Sequence, residues 1–561
     1  MATLASFAAL ALVTPALVSS ALQGSQASSG LAAHYRAGER RVWVMEQDGK
    51  RIGRCGSTYT GEVALGGLRA HHFVEQVELE LTLPSGPLVQ RFTMELWTDD
   101  EALPLRFDFR AQVADAKSGV TGVLAGGEAE LVVHQGPSER TLTLDVPSEA
   151  FLLANNFVSE IELLLALQPV PEEGARHTLF SANTLQVFPY SLKRAGTTPA
   201  GGVLLDDSLG ERLELTPEGT LARLEVAAQK IVMRRDPAPF ESFTIELAAR
   251  TRADDLASEE VTIADGDVSL AGTMTRPKGA AGKLPAVFFL SGSGPEDRDG
   301  YAMGLDLGTH EILDRLTREG FLVLRVDDRG VGASTGPTKD MTFADIVADG
   351  RRAVRFLRAR PDVDPARIAL IGHSEGALTA PLLADEPIAA IVLMAGPGRP
   401  LEALLKEQLR LGRELQGAKP AELDAFEHEI DAFLAHVAKD EPIEPKGLAP
   451  ELAAFLPGRA WLKSHLGRDP LAVLAKVTCP ILVLQGGKDV QVSAERDAPK
   501  IVAALDAAGH HDHELRVFPA LDHLFKRASD KPSELDYLRA RPIDPEFLDA
   551  LVAWLSRRLL R

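Results

Sequence analysis

The pentapeptide Gly372-His373-Ser374-Glu375-Gly376 holds a serine between two glycines. It follows the apolar run Ile368 to Ile371 and precedes a helix-like segment, the strand-to-helix elbow that exposes a hydroxyl at the end of a sheet. Glycines suit such a turn because neighbouring backbone leaves no room for side chains. A serine hydroxyl attacks an acyl carbon only when a base removes its proton and a carboxylate orients that base. Asp489, in Gln485-Gly486-Gly487-Lys488-Asp489 after the run ILVL, and His523, in Leu521-Asp522-His523-Leu524-Phe525 after Leu515 to Phe518, supply the acid and the base. Each follows the carboxyl end of an expected strand. Asp522 is the nearest rival acid. The oxyanion that such chemistry builds needs backbone N–H donors. Glu375, directly after the serine, offers one, and Ser293, in Ser291-Gly292-Ser293-Gly294 after the run AVFFL, offers the second, with Gly292 as its neighbour.

The elements that must position these residues begin after Glu260. Strand-like and helical runs alternate there: Ala286 to Leu290, Gly308 to Glu319, Leu322 to Val326, Phe343 to Arg358, Ile368 to Ile371, Gly376 to Ala384, Ala389 to Met394. Alternating β and α units predict a mostly parallel sheet covered by helices on both faces. Amphipathic helical sequence at Leu401 to Lys439 and Pro450 to Leu466 interrupts before Ile481 to Leu484, which places a helical cap insertion at about 401–466. An insertion above the carboxyl ends of the strands roofs a pocket and would set acyl-chain preference. Most of its apolar positions, such as Leu404, Leu405, Leu409 and Leu411, are expected to pack against the sheet domain.

Residues 34–240 read differently. Runs such as Val77 to Leu83, Gln90 to Trp97, Leu105 to Arg110 and Leu221 to Val226 alternate with period two, and turn pairs such as Asp48-Gly49 separate them. A β-rich accessory domain with one or two short helices follows, without a nucleophile paired to a base. Arg234 to Phe240 reads as the connector, and 241–561 as the catalytic domain.

The set LSGSGPEDRD (Leu290 to Asp299), RVDDRGVGAS (Arg325 to Ser334), the Ser374 elbow, AGPGRP (Ala395 to Pro400), QGGKD (Gln485 to Asp489) and Asp522-His523 resembles bacterial α/β-hydrolase esterases, related to prolyl-oligopeptidase-like and serine aminopeptidase enzymes. The resemblance runs from about Val261 to the end. It implies an α/β-hydrolase fold and carboxylesterase activity on short acyl chains, with Ser374, Asp489 and His523 as the triad and no cofactor. On the resemblance alone an esterase is favoured over a serine peptidase; Glu375 and Asp297 are the carboxylates that would receive a free amino terminus. A binding protein with a vestigial hydrolase domain is the reading of another class.

Other features take bland readings. His510-His511-Asp512-His513 joins a helix to a strand as a solvated loop, Asp297, Arg298 and Asp299 brace a loop, and Asp327, Asp328 and Arg329 pin loops near the site. Gly292-Ser293-Gly294 lacks the Gly-Lys-Ser/Thr of a phosphate loop. Cys55 and Cys479 provide no disulfide framework, and Cys479 reads as a small buried hydrophobe.

The 561 residues favour two or three domains, and 45% hydrophobic with 25% charged residues describe a globular chain. Eighty acidic against sixty basic residues, a net charge of −20, disfavour nucleic acid and anionic lipid as partners. Leu4 to Leu22 is apolar apart from hydroxyl residues and Pro15, with no Lys or Arg before it. It reads as a signal peptide over 1–22, hence a secreted or periplasmic protein with no stable membrane insertion after processing. The expected partner is a small ester or acyl substrate, and the sequence leaves the oligomeric state open.

Overall fold

A computed structural model describes residues 31, 34–83, 86–154, 157–247, 253–445 and 447–560. The expected signal peptide lies outside the described residues. The chain divides into two compact units, Val13–Ala248 and Ala249–Arg561. Residues 241–247, expected to open the second domain, fall with the first unit instead. Arg40 donates to the Phe240 carbonyl and Arg110 to the Ile245 carbonyl, each at 3.1 Å, and the side chains of Phe240 and Ile245 are buried. Apolar residues spaced along a segment without regular structure still anchor it when strand side chains satisfy its carbonyls.

Among the described residues the first unit is a single sheet of fifteen strands. From Arg40–Gln47 to Ser138–Asp145 the chain meanders outward to one edge; from Phe151–Leu153 it returns to Ile231–Arg235, which pairs antiparallel with Arg40–Gln47. The sheet curls, because Phe107 and Phe180, from opposite wings of the strand order, meet with ring centroids 6.1 Å apart. The helix Ser159–Leu167 fills the interior, with Ile161, Leu163, Leu164, Leu165 and Leu167 in one apolar cluster with both wings. Buried Glu75 receives the N–H groups of Val158 and Ser159 at 3.1 and 3.0 Å, satisfying donors at the helix start. No helix among the described residues is long and apolar enough to cross a membrane.

The second unit is built on a sheet of eight strands among the described residues: β1 (Leu256–Asp265), β2 (Val268–Pro277), β3 (Leu284–Leu290), β4 (Leu322–Val326), β5 (Val363–His373), β6 (Ala390–Met394), β7 (Ile481–Gly486) and β8 (His513–Phe518). Their order is β1-β2-β4-β3-β5-β6-β7-β8; β1 and β2 are antiparallel to their neighbours and the rest are parallel. This is the α/β-hydrolase fold. The parallel strands are continuous apolar runs because both faces are covered. Alternate residues divide accordingly: Ala286, Phe288 and Leu290 face one core, Val287 and Phe289 the other. Helices α1 (Thr309–Glu319) and α8 (Pro545–Leu559) cover the second core; α2 (Phe343–Ala359), α3 (Glu375–Leu382) and α7 (Ala498–Ala507) cover the first.

The cap comprises α4 (Leu401–Leu415), α5 (Pro420–Lys439), a turn at Pro450–Ala453 and α6 (Arg459–His465). Its apolar residues do not join the sheet's core as expected. Leu405 and Leu409 cluster with Phe426, Ile430, Phe433, Leu434, Val437, Leu452 and Leu462, so the cap has a core of its own. Four helical segments provide enough apolar faces to close on one another, and polar residues make the joints to the body. Arg399 pairs with Asp497 at 2.7 Å, and Gln408 donates to the Gln491 carbonyl at 3.0 Å.

Candidate active site

Ser374 stands at the turn from β5 into α3 with φ 53° and ψ −113°. A non-glycine residue in that region stores about 1–3 kcal/mol of strain, which the packed neighbours must hold. They do so because both flanking glycines are sterically required: a Cβ at Gly372 would collide with the Gly376 carbonyl, and one at Gly376 with the Leu290 carbonyl. The Ser374 N–H is fixed by the Met394 carbonyl of β6 at 2.9 Å.

His523 and Asp489 follow β8 and β7, so all three residues lie at the same carboxyl edge of the sheet. His523 Nδ1 and Asp489 Oδ2 are 2.8 Å apart, both side chains almost fully buried. Asp489 accepts further from Gln485 Nε2 at 2.9 Å and, on its other oxygen, from the Gln491 and Val492 N–H groups at 2.8 and 2.9 Å. Four donors fix the carboxylate as an acceptor aimed at the ring. The rival Asp522 is engaged elsewhere. Its oxygens take the Leu524 and Lys526 N–H groups and an ion pair with Arg541 at 2.7 Å, which braces the loop that carries His523.

The Ser374 hydroxyl makes no hydrogen bond among the described residues. The link between elbow and base runs through His373, whose Nε2–H donates to the His523 carbonyl at 2.9 Å, with the two rings 4.7 Å apart. Burial first, then proximity to His523, pushes the His373 ring down to about 3, so it is neutral and its tautomer is set by that bond.

The loop expected to carry the oxyanion donors is equally ordered. The Gly292 N–H is occupied by Glu296 Oε1 at 3.0 Å, while that of Ser293 makes no hydrogen bond among the described residues. Glu375 is the first residue of α3, where an N–H has no intrahelical acceptor. Behind the loop, Asp328 accepts from the Glu296 N–H at 2.9 Å and from Ser291 Oγ at 2.8 Å. Burial, with neighbouring carboxylates adding to it, pushes Asp328 up to about 7 and Glu296 well above the usual carboxylate range. Asp327 pairs with Arg298 at 2.7 Å, and Asp297 accepts the Asp299 and Tyr301 N–H groups at 2.9 Å, the bracing roles read from the sequence.

The Glu375 side chain reaches the cap: Oε1 accepts from Trp461 Nε1 at 2.7 Å and His465 Nε2 at 2.6 Å. Sequence reasoning missed these two residues, as well as Glu296 and the role of His373. Trp461 and His465 lie far along the chain from the elbow and carry no local signal, whereas His373 was visible inside the motif. In the histidine cluster, His510 Nε2 donates to the Cys479 carbonyl at 2.9 Å, and burial raises the Cys479 thiol to about 11.

Residues 307–527 match the family model described as serine aminopeptidase, S33. The esterase EstD of Thermotoga maritima is 29% identical over 289 residues, covering 51% of this chain and 66% of that protein, so the chain spans a little under two thirds of that relative. An uncharacterized protein of Mycobacterium tuberculosis is 28% identical over 268 residues, 46% of this chain and 74% of its own length. A solved Pyrococcus furiosus esterase is 21% identical and covers 54% of this chain and 92% of its own, with a TM-score of 0.37.

Proposed function

We propose, from the premise that the second unit is an α/β hydrolase of an esterase-like family, that it cleaves carboxylic esters of small molecules through an acyl-enzyme on Ser374. The observation that carries the reading is the buried His523–Asp489 pair on the sheet edge that bears the strained Ser374 elbow. Ser374 Oγ attacks the acyl carbon while its proton passes to His523 Nε2. The carbonyl oxygen becomes an anion received by the Ser293 and Glu375 N–H groups. When the tetrahedral adduct collapses, the C–O bond to the alcohol breaks and His523 returns the proton to the leaving oxygen. Water, deprotonated by the same imidazole, then attacks the acyl-serine ester, and its breakdown releases the acid and restores the serine. Asp489 holds the ring and stabilises its charged form.

An ester is favoured over a peptide with a free amino terminus because both carboxylates suited to an ammonium group are engaged. Glu375 is held by Trp461 and His465, and Asp297 by its own loop. The cap, whose α6 reaches the residue next to Ser374, limits acyl-chain length. The first unit presents or restricts larger substrates without supplying a catalytic group, and the apolar Leu4 to Leu22 segment supports export.

The test is Ser374→Ala assayed on p-nitrophenyl acetate and with a fluorophosphonate label. Turnover should fall by several orders of magnitude with the fold retained, and labelling should vanish. Residual wild-type turnover would end the proposal, and faster cleavage of aminoacyl p-nitroanilides than of the ester would reverse the substrate class.

A further inference from the structure

Glu375 has two ends with different surroundings. Its N–H opens α3 beside Ser374, while its carboxylate takes both of its hydrogen bonds from α6 of the cap. We propose that Trp461 and His465 are positioning residues which, through Glu375, tie the seating of the cap to the geometry of the oxyanion hole. The proposal rests on the reading of the Glu375 N–H as an oxyanion donor.

Three observations carry it. Both donors converge on one oxygen, Oε1, so the carboxylate is held from two directions rather than swinging on a single bond. Helix α6 also grips the start of α2: the Phe343 N–H donates to Ser464 Oγ at 2.8 Å, and the His465 ring lies 4.4 Å from the Phe343 ring and 5.0 Å from that of Trp461. One turn of the cap therefore clasps two helix beginnings at once. Lastly, α3 starts from strained Ser374 with no side-chain cap, so no capping group holds the amino end of α3 and the Glu375 side chain is its tie to the cap.

The alternative state is penalised. With α6 lifted, the buried Glu375 side chain would keep neither donor on its own oxygen. Turning toward water relieves that carboxylate and drags the first N–H of α3 with it. A bound acyl group beneath a seated cap meets a correctly aimed donor; one in an open site does not.

Removing an oxyanion-hole donor lowers kcat by about 10²- to 10³-fold, and misaiming one costs less, about tenfold. Trp461→Phe and His465→Phe keep the rings and delete the donors. Each should lower kcat on p-nitrophenyl acetate and the rate of fluorophosphonate labelling by about tenfold, with KM and the labelled fraction at completion unchanged, because only the developing anion senses the loss. His465→Gln retains an N–H and should restore most of the rate. Wild-type labelling rates in both phenylalanine variants would overturn the coupling, as would an effect on KM alone, which marks α6 as a wall of the substrate pocket. Equal loss in His465→Gln and His465→Phe would reduce His465 to packing. If His465→Phe labels to a low final fraction, Trp461→Phe decides alone. An unlabelled wild-type protein is a separate result: it overturns the nucleophile reading and the coupling with it.

Discussion

Two acids adjoin His523, one in space and one in sequence, and only their partners tell them apart. Asp489 presents an oxygen to Nδ1, whereas Asp522 closes its own loop with Arg541. Asp489→Asn should therefore lower kcat by about 10⁴-fold through the wrong ring tautomer while the protein stays folded. Asp522→Asn should lower thermal stability and leave most of the activity; steady-state kinetics beside melting curves separate the two. Asp328 yields a pH signature. It keeps its proton up to about 7 when folded but ionises near 3.8 when unfolded, so the unfolded chain binds fewer protons between those values. Its contribution makes stability fall as pH rises through that window and level off above it. Asp328→Asn, which can still bond both the Glu296 N–H and Ser291 Oγ, should flatten this slope in urea denaturation repeated across about pH 4 to 8. An unchanged slope would mean that Asp328 is ionised in the fold. The strand-end positions of Ser374, Asp489 and His523 were readable from the sequence because each follows an apolar run that forms a strand. Trp461 and His465 were not, because no rule of spacing links a cap helix to the elbow it covers.

At the scale of elements, legibility followed burial. Leu322–Val326 is a short run, apolar but for Arg325, that stops at Asp327, and its limits were read directly from the sequence. Strand β5 begins earlier than expected, at Val363, because the VDPAR stretch has no apolar run to announce it. The cap's place was visible, its core was not. Amphipathic faces state that something is buried but not against what, and here they close on one another. A cap with its own core loosens on its own. Phe426 is fully buried there beneath the Arg413 guanidinium, 3.4 Å from the ring centre. Phe426→Ala should cost about 3–5 kcal/mol locally. Amide exchange should accelerate across Leu401–His465 while β3, β5, β6 and β7 keep their protection, and equal acceleration in those strands would show that cap and sheet unfold together.

For the whole molecule, the grouping of the proposed mechanism within one unit makes a strong claim. Every residue assigned a role lies between Ser291 and His523, and that unit has two apolar cores flanking its own sheet. Residues 249–561 alone should fold and hydrolyse p-nitrophenyl acetate at a rate close to that of the full chain. A folded but inactive fragment would mean that the first unit completes the site. The first unit has a different problem, one of time. Its first described strand, Arg40–Gln47, and its last, Ile231–Arg235, are neighbours in the middle of the sheet, while each wing is a chain of local pairings. Short loops close before long ones, so both wings can form while the seam between them stays open. Until the final strand arrives, each wing shows an unpaired inner edge, the template on which strands of another molecule add. Joining the seam should thus be the slow, concentration-sensitive step of refolding, and a chain emerging from the ribosome would carry that open edge until Arg235 has followed it out.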